Sequence, residues 1–312
     1  MIVPTSFFVI VMKNTEDIVL VLNSLKINEI ISEGLVESAK CGNVWFNDAN
    51  IGEGVERVRE MLSRDNLERW SSCFGREKTN PKRVAVVVDG AAPFDGLTDL
   101  VLVLLSGNIF VGRGFENDLL LRSVADALIK ADGALADYIS FVEEPVGKSD
   151  AIILSGSFSS NKTLMEYVDR IPHLVHSAGH GTRVLTGNES AGELDDIARG
   201  CFLNFGRGEM SVRNIFVPKG YDFQRLLCSF EKWEDVRNNP RYYNNYEYRK
   251  SACIVGKVPC LDNGFVILRA SDGFSPHIGE IYYHEYSSLS EVGAIDGAYD
   301  AAGETIMFLL SI

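Results

Sequence analysis

The sequence has no long apolar run, no C-x-x-C cysteine pair and no surplus of basic residues. Its early hydrophobic stretch, Phe7 to Met12, is six residues long, has no basic segment before it and runs into Lys13. That is too short for a membrane span and lacks the form of a signal peptide, so it reads as a buried strand. The six cysteines (Cys41, Cys73, Cys201, Cys228, Cys253 and Cys260) stand singly in a chain too long to need disulfide staples. A reducing, cytoplasmic setting is expected. Cys253 and Cys260 are spaced too widely for a zinc half-site, and no histidine pair follows them at finger spacing. With 30 Lys and Arg against 43 Asp and Glu, the formal net charge is -13. Such a surface repels nucleic acid phosphates and anionic lipid, and neither is expected as a partner.

What is present is ordinary globular composition, 46% hydrophobic and 23% charged over 312 residues, enough for one large or two medium domains. Ile18 to Ala39 and Ile51 to Leu62 carry apolar residues at helical spacing, the second opened by the cap-like Asn47-Asp48. From residue 83 the pattern changes. Apolar runs at Val84 to Val88, Asn108 to Val111, Tyr138 to Val142 and Ala151 to Leu154 alternate with helical stretches at Leu97 to Leu105, Glu116 to Lys130 and Asn161 to Asp169. Nearly continuous apolar strands separated by helices imply a parallel sheet covered on both faces. A second α/β unit is expected over residues 173–285, with strands near Arg183 to Leu185, Arg213 to Val217, Phe265 to Ala270 and Ile281 to Tyr283. Its Asn- and Tyr-rich segment, Asn238 to Tyr248, reads as a loop feeding a short helix.

Three glycine-containing turns could carry chemistry. Ser155-Gly156-Ser157 follows a buried strand and precedes a helix, where exposed N–H groups suit a phosphate or dinucleotide; a plain strand-to-helix turn would look the same. Asp89 to Gly96 also follows a strand directly. Asn204 to Ser211 pairs glycines ahead of Glu209, a residue that is either a base or a surface charge. His173, His176 and His180 crowd together, but Pro172, Gly179 and Gly181 oppose a helix, and on a strand the three would not share a face for a metal.

Taken together, these turns resemble those of the LuxC-type acyl-CoA reductases of the aldehyde dehydrogenase superfamily. The likeness runs from Trp45-Phe46 and Trp70 through Gly90 to Asp99, similar to the family's A-G-N-x-P-L-x-G-x-x-D loop, then Ser106-Gly107, Asp118, Ser155-Gly156-Ser157 and Ile171-Pro172-His173. It is densest in Phe205-Gly206-Arg207-Gly208, Val217 to Phe223 and Tyr243 to Tyr248. The resemblance implies an aldehyde dehydrogenase-like α/β fold. A Rossmann-type nicotinamide-binding domain would take residues 1–172 with 286–312, and a catalytic-type domain residues 173–285. It also implies homo-oligomers, an acyl-CoA or other acyl thioester as substrate, and NADPH, held by Ser155, Gly156 and Ser157 with Arg113 nearby.

In the family, a cysteine thiolate attacks the thioester, an oxyanion hole holds the intermediate, and hydride from NADPH releases an aldehyde. The position of that cysteine is Glu209 here, and the position of the oxyanion amide is Ala91. Glutamate is a weak, hard nucleophile, and loss of one oxyanion donor costs ~100-fold to 1,000-fold in rate. Cys201 lies within the helical pattern Leu194 to Leu203, where a buried, inert thiol is expected. Three readings therefore stand: an acyl-CoA reductase relative with altered chemistry, a non-catalytic nucleotide- or acyl-binding scaffold, and a thioester hydrolase using Glu209 as base.

Overall fold

The computed structural model describes residues 14–75, 80–113, 119–144, 146–156, 165–166, 168–177, 181–208, 211–292 and 300–312. Five helices open it: α1 (Thr15–Ser24), α2 (Ile27–Ile30), α3 (Glu33–Gly42), α4 (Asp48–Met61) and α5 (Arg64–Ser71). The helical spacing from Ile18 to Ala39 is cut where Leu25 turns extended and Ser32 caps α3 by accepting from the Leu35 N–H. Asn47 opens α4 in a capping box with Asn50, each side chain accepting from the other's backbone N–H.

The first sheet holds β1 (Arg83–Val88), β2 (Ile109–Arg113), β3 (Ile139–Val142), β4 (Ala151–Gly156) and β5 (His173–Ser177), all parallel, in the order β3-β2-β1-β4-β5. From β1 the chain steps outward to β2 and β3, then crosses back to β4 on the other side of β1. The order therefore reverses between β1 and β4, the place where open α/β sheets leave a crevice beyond their strand ends. Strand β1 is buried from Val84 to Val88, one face against α6 (Leu97–Leu105) and the other against Ile152, Leu154 and Val168. Helix α7 (Leu119–Ala131) adds Leu120, Leu121, Val124, Ala125 and Leu128 to the main core.

The second sheet holds β6 (Gly181–Val184), β7 (Val212–Pro218), β8 (Leu261–Asp262), β9 (Ile267–Ala270) and β10 (Glu280–Tyr286), ordered β6-β7-β10-β9-β8. It is parallel except for the antiparallel β8–β9 pair at one edge. Helices α8 (Ala191–Phe202), α9 (Gln224–Glu231) and α10 (Pro240–Gly256) belong to this half, and Phe202, Phe230 and Phe265 form its aromatic centre. After α11 (Leu289–Val292) the chain returns to the first sheet as α12 (Ala301–Ser311), which packs on α6 and β5.

Two expectations need correction, and one strand was not foreseen. Asn238 to Tyr248 is not a loop: Asn238 ends a 3-10 turn, and Pro240 to Tyr248 form the first part of the 17-residue α10. Asn239 caps it by accepting from the N–H groups of Arg241 and Tyr242, and Pro240 takes the first turn, where no N–H is needed. Tyr242 and Tyr246, one helical turn apart, are both buried, so packing outweighs the modest helix propensity of Asn and Tyr. The division placed before residue 173 comes one strand early, because His173–Ser177 pairs in register with β4 and extends the first sheet. Strand β8, short and exposed, gave no apolar signal. Among the described residues no helix is long and apolar enough to cross a membrane. The stretch Phe7 to Met12 and most of Asn161 to Asp169 lie outside the described residues.

Candidate active-site cleft

A cleft of about 500 Å³ opens beyond the C-terminal ends of β1, β4 and β5. Its walls come from distant parts of the chain: α4 with Gly54, Arg57 and Met61, the loop from Ala92 to Gly96 with the first turn of α6, Ser155 and His176 at strand ends, Asn204 and Gly208 from the second half, and Asp300 to Ala302. Gly54 lets α4 lie against the loop, since a Cβ there would stand 2.9 Å from the Phe94 ring. A glycine inside an otherwise good helix is the sequence signal for that close approach.

The loop after β1 is held by two of its own side chains and by Asn43. Asp89 Oδ1 accepts from the Ala91 N–H (3.0 Å), Asp95 Oδ2 accepts from the Ala92 N–H (2.9 Å), and Asn43 Nδ2 donates to Gly90 O (3.0 Å). Ala91 is buried, and its backbone N–H is turned to Asp89. Across the cleft, Phe205, Gly206 and Gly208 all adopt positive φ, so the Asn204–Gly208 turn is left-handed through much of its length. The two loops meet where Gly208 approaches Ala92: a Cβ on Gly208 would lie 3.5 Å from the Ala92 methyl. The neighbouring Glu209 lies outside the described residues, as do Ser157, Asp118 and His180.

Two polar features stand at this meeting point. Asn204 Oδ1 is buried with no hydrogen-bond partner among the described residues. The Arg207 guanidinium lies 4.8 Å above the Trp45 ring. Burial pulls its pKa below the ordinary arginine value, while Asp89 and Asp95 act in the opposite sense. Thus the segment around Trp45, the loop after β1 and the Phe205-Gly206-Arg207-Gly208 turn, all quoted for the family likeness, come together in space.

At the floor, Ser155 on β4 is paired in register with Val88 of β1 and His176 of β5. Thr305 from α12 donates to Asp99 Oδ1 (2.8 Å), which leaves its oxygen to accept from His176 Nε2–H at 3.0 Å. His176 Nδ1 faces Glu304 Oε2 at 3.6 Å. This buried chain ties the last helix to α6 and β5. His173, on the opposite strand face, is exposed, so those two histidines do not converge. Gly156 ends β4 opposite Ser177, and Arg113, half-buried, ends β2 two strands from β4. Arg113 is not among the residues lining the cleft. Cys201 is buried on α8, and desolvation drives its thiol pKa far up, against a smaller opposing effect of Arg183. Asp99 was named from sequence only as the end of the Gly90 to Asp99 loop, and its link to Thr305 was not foreseen, because nothing local joins residues so far apart.

The chain matches no protein-family model and no curated protein sequence. Its backbone does match solved structures. An NADP-dependent enzyme of E. coli superposes with TM-score 0.66 at 11% identity, over 96% of this chain and 76% of that one. An NAD-dependent aldehyde dehydrogenase from Sinorhizobium meliloti gives TM-score 0.61 at 13% identity, over 96% and 73%. An indole-3-acetaldehyde dehydrogenase solved with NAD+ gives TM-score 0.66 at 13% identity, over 90% and 69%. At such identities the likeness is one of architecture: the chain has an aldehyde dehydrogenase-like fold.

Proposed function

We propose that the chain binds a nicotinamide dinucleotide, NADPH in preference to NADH, at the C-terminal edge of its first sheet. It is a degenerate relative of the acyl-CoA reductases that forms no acyl-enzyme. The supporting observation is the crevice at the β1/β4 reversal, into which the loop after β1 and the turn leading to Glu209 both project and touch at Ala92 and Gly208. The matching structures include an NADP-dependent enzyme, an NAD-dependent aldehyde dehydrogenase and a dehydrogenase holding NAD+, which agrees with this reading.

The residues present suit such a group. Ser155 and Gly156 end the strand beside the crevice, and a strand end without a Cβ lets a ligand lie close. Arg113 ends β2, the strand next to β1, where an arginine in such folds receives a ribose 2′-phosphate. When bound, the dinucleotide donates or accepts hydride at a carbonyl carbon. For the carbonyl itself, Asn204 lines the cleft from the second half, while Ala91, at the position of the family's amide, carries a methyl that donates no hydrogen bond. With Glu209 as the residue after Gly208 and Cys201 buried, no thiol is among the described residues that line the cleft.

Calorimetry with NADPH and NADH tests the cofactor. NADPH binding is expected, with Arg113→Ala weakening it about tenfold or more, the scale of a charge-assisted hydrogen bond, and leaving NADH unaffected. No heat with either at millimolar concentration overturns the reading. Intact-mass spectrometry after incubation with acyl-CoAs tests the chemistry. Wild type should stay unmodified, Glu209→Cys should label slowly, and Glu209→Cys with Ala91→Asn should label faster. Acylated wild type would defeat the claim of degeneracy.

A further inference from the structure

Far from the cleft, helix α10 runs beside the edge hairpin of the second sheet, and the two are locked in a definite register. Tyr246, Lys250 and Cys253 recur at helical spacing and so share one face of α10. Asp262 on β8 meets the first two: Tyr246 Oη donates to Asp262 Oδ1 at 2.6 Å, and Lys250 Nζ lies 2.9 Å from Asp262 Oδ2. The connection reverses tightly. Lys257 adopts φ +51° at the helix end, and the Val258 N–H returns to Cys253 O at 2.9 Å.

Cys260 immediately precedes β8, two residues before Asp262, and so lies toward the C-terminal end of α10, where the next residue on the helix face is Cys253. The Cys260 thiol is near enough to the Cys253 thiol to help raise its pKa. Cys253 is 5% exposed, packed with Tyr246 and Ile267, whereas Cys260 is exposed.

We propose that Cys253 and Cys260 are a redox modification site that forms a reversible disulfide when the chain meets a hydroperoxide. The exposed Cys260 thiolate attacks the peroxide: an S–O bond forms, the O–O bond breaks, and an alcohol or water leaves, giving a sulfenic acid. The Cys253 thiolate then attacks the Cys260 sulfur: the S–S bond forms, the S–O bond breaks, and a second water leaves. Two thiols and one hydroperoxide become one disulfide, one alcohol or water and one water. Burial, and next the proximity of Cys260, push the Cys253 thiol pKa up, so the second step quickens as pH rises. The bond fastens the C-terminal end of α10 to the edge strand β8.

The test is to treat the purified chain with hydrogen peroxide and follow intact mass and peptide maps. Wild type should lose about 2 Da, the two hydrogens, with Cys253 and Cys260 peptides linked and freed again by dithiothreitol. Cys253→Ala should instead hold Cys260 as a sulfenic acid that dimedone traps. Cys260→Ser, a change at an exposed position, should leave Cys253 reduced under the same treatment. The proposal falls if wild-type Cys260 passes to sulfinic or sulfonic acid while Cys253 stays reduced. It falls equally if Cys260 links to Cys41, Cys73 or Cys228 in preference to Cys253.

Discussion

The two sheets share a parallel plan but are secured in different ways. In the first, every residue of α6 except Thr98 is buried, and β1 is apolar on both faces, so the centre is dry and its stability resides in packing. The second is closed by aromatic pairs such as Phe202 with Phe230 at 4.9 Å, and its outer edge is tied by polar contacts through Asp262. A buried centre tolerates little change, whereas an edge held by exposed polar groups yields to pH and salt.

The largest expected effect is in the dry centre. Leu102 is fully buried in α6, and Leu102→Ala should cost about 2–5 kcal/mol, read from the shift of the urea unfolding midpoint at constant slope. A loss below that range would show that the first half can collapse around a cavity, and the contrast between the halves would weaken. Next comes the tie between α12 and the first sheet. Thr305→Val leaves Asp99 and His176 without their shared hydroxyl, and should cost about 1–3 kcal/mol in the same measurement. An unchanged midpoint would mean that the returning helix is held by apolar contacts alone.

The smallest effect belongs to the edge. Burial at Asp262 favours its neutral form, but the Tyr246 hydroxyl, Lys250 and the Gly264 N–H outweigh it and bring its pKa below the usual carboxylate value. A depressed folded pKa gives stability that is present above the unfolded pKa and lost as pH falls through the folded one. Wild type should therefore exceed Asp262→Asn by no more than about 1 kcal/mol at neutral pH, given the partial exposure, with the gap closing below about pH 4. A gap that persists in acid would show that the contact is not electrostatic.

The halves also differ in how legible they were. Runs such as Val84 to Val88 and Ala151 to Leu154 announce buried strands, because a strand covered on both faces needs no polar alternation. The segment Asn238 to Tyr248 misled, because its composition suggests a loop while its cap, its Pro240 and the spacing of Tyr242 and Tyr246 specify a helix. At the cleft, the glycine turns could be recognised locally. That Gly208 meets Ala92, or that Asn204 holds a buried oxygen unpartnered among the described residues, depends on how the second half docks against the first.

By itself the sequence determined the alternation of strands and helices, the glycines that permit left-handed turns and the absence of a cysteine after Gly208. These follow from short-range sterics and the periodicity of burial, which each segment carries within itself. Only the tertiary structure decided that the strand order reverses between β1 and β4, that Thr305 closes a chain between Asp99 and His176, and that Cys260 comes near Cys253. Those contacts join residues whose separation along the chain carries no local signal, and they form only when the burial of many other side chains offsets the entropy of bringing them together.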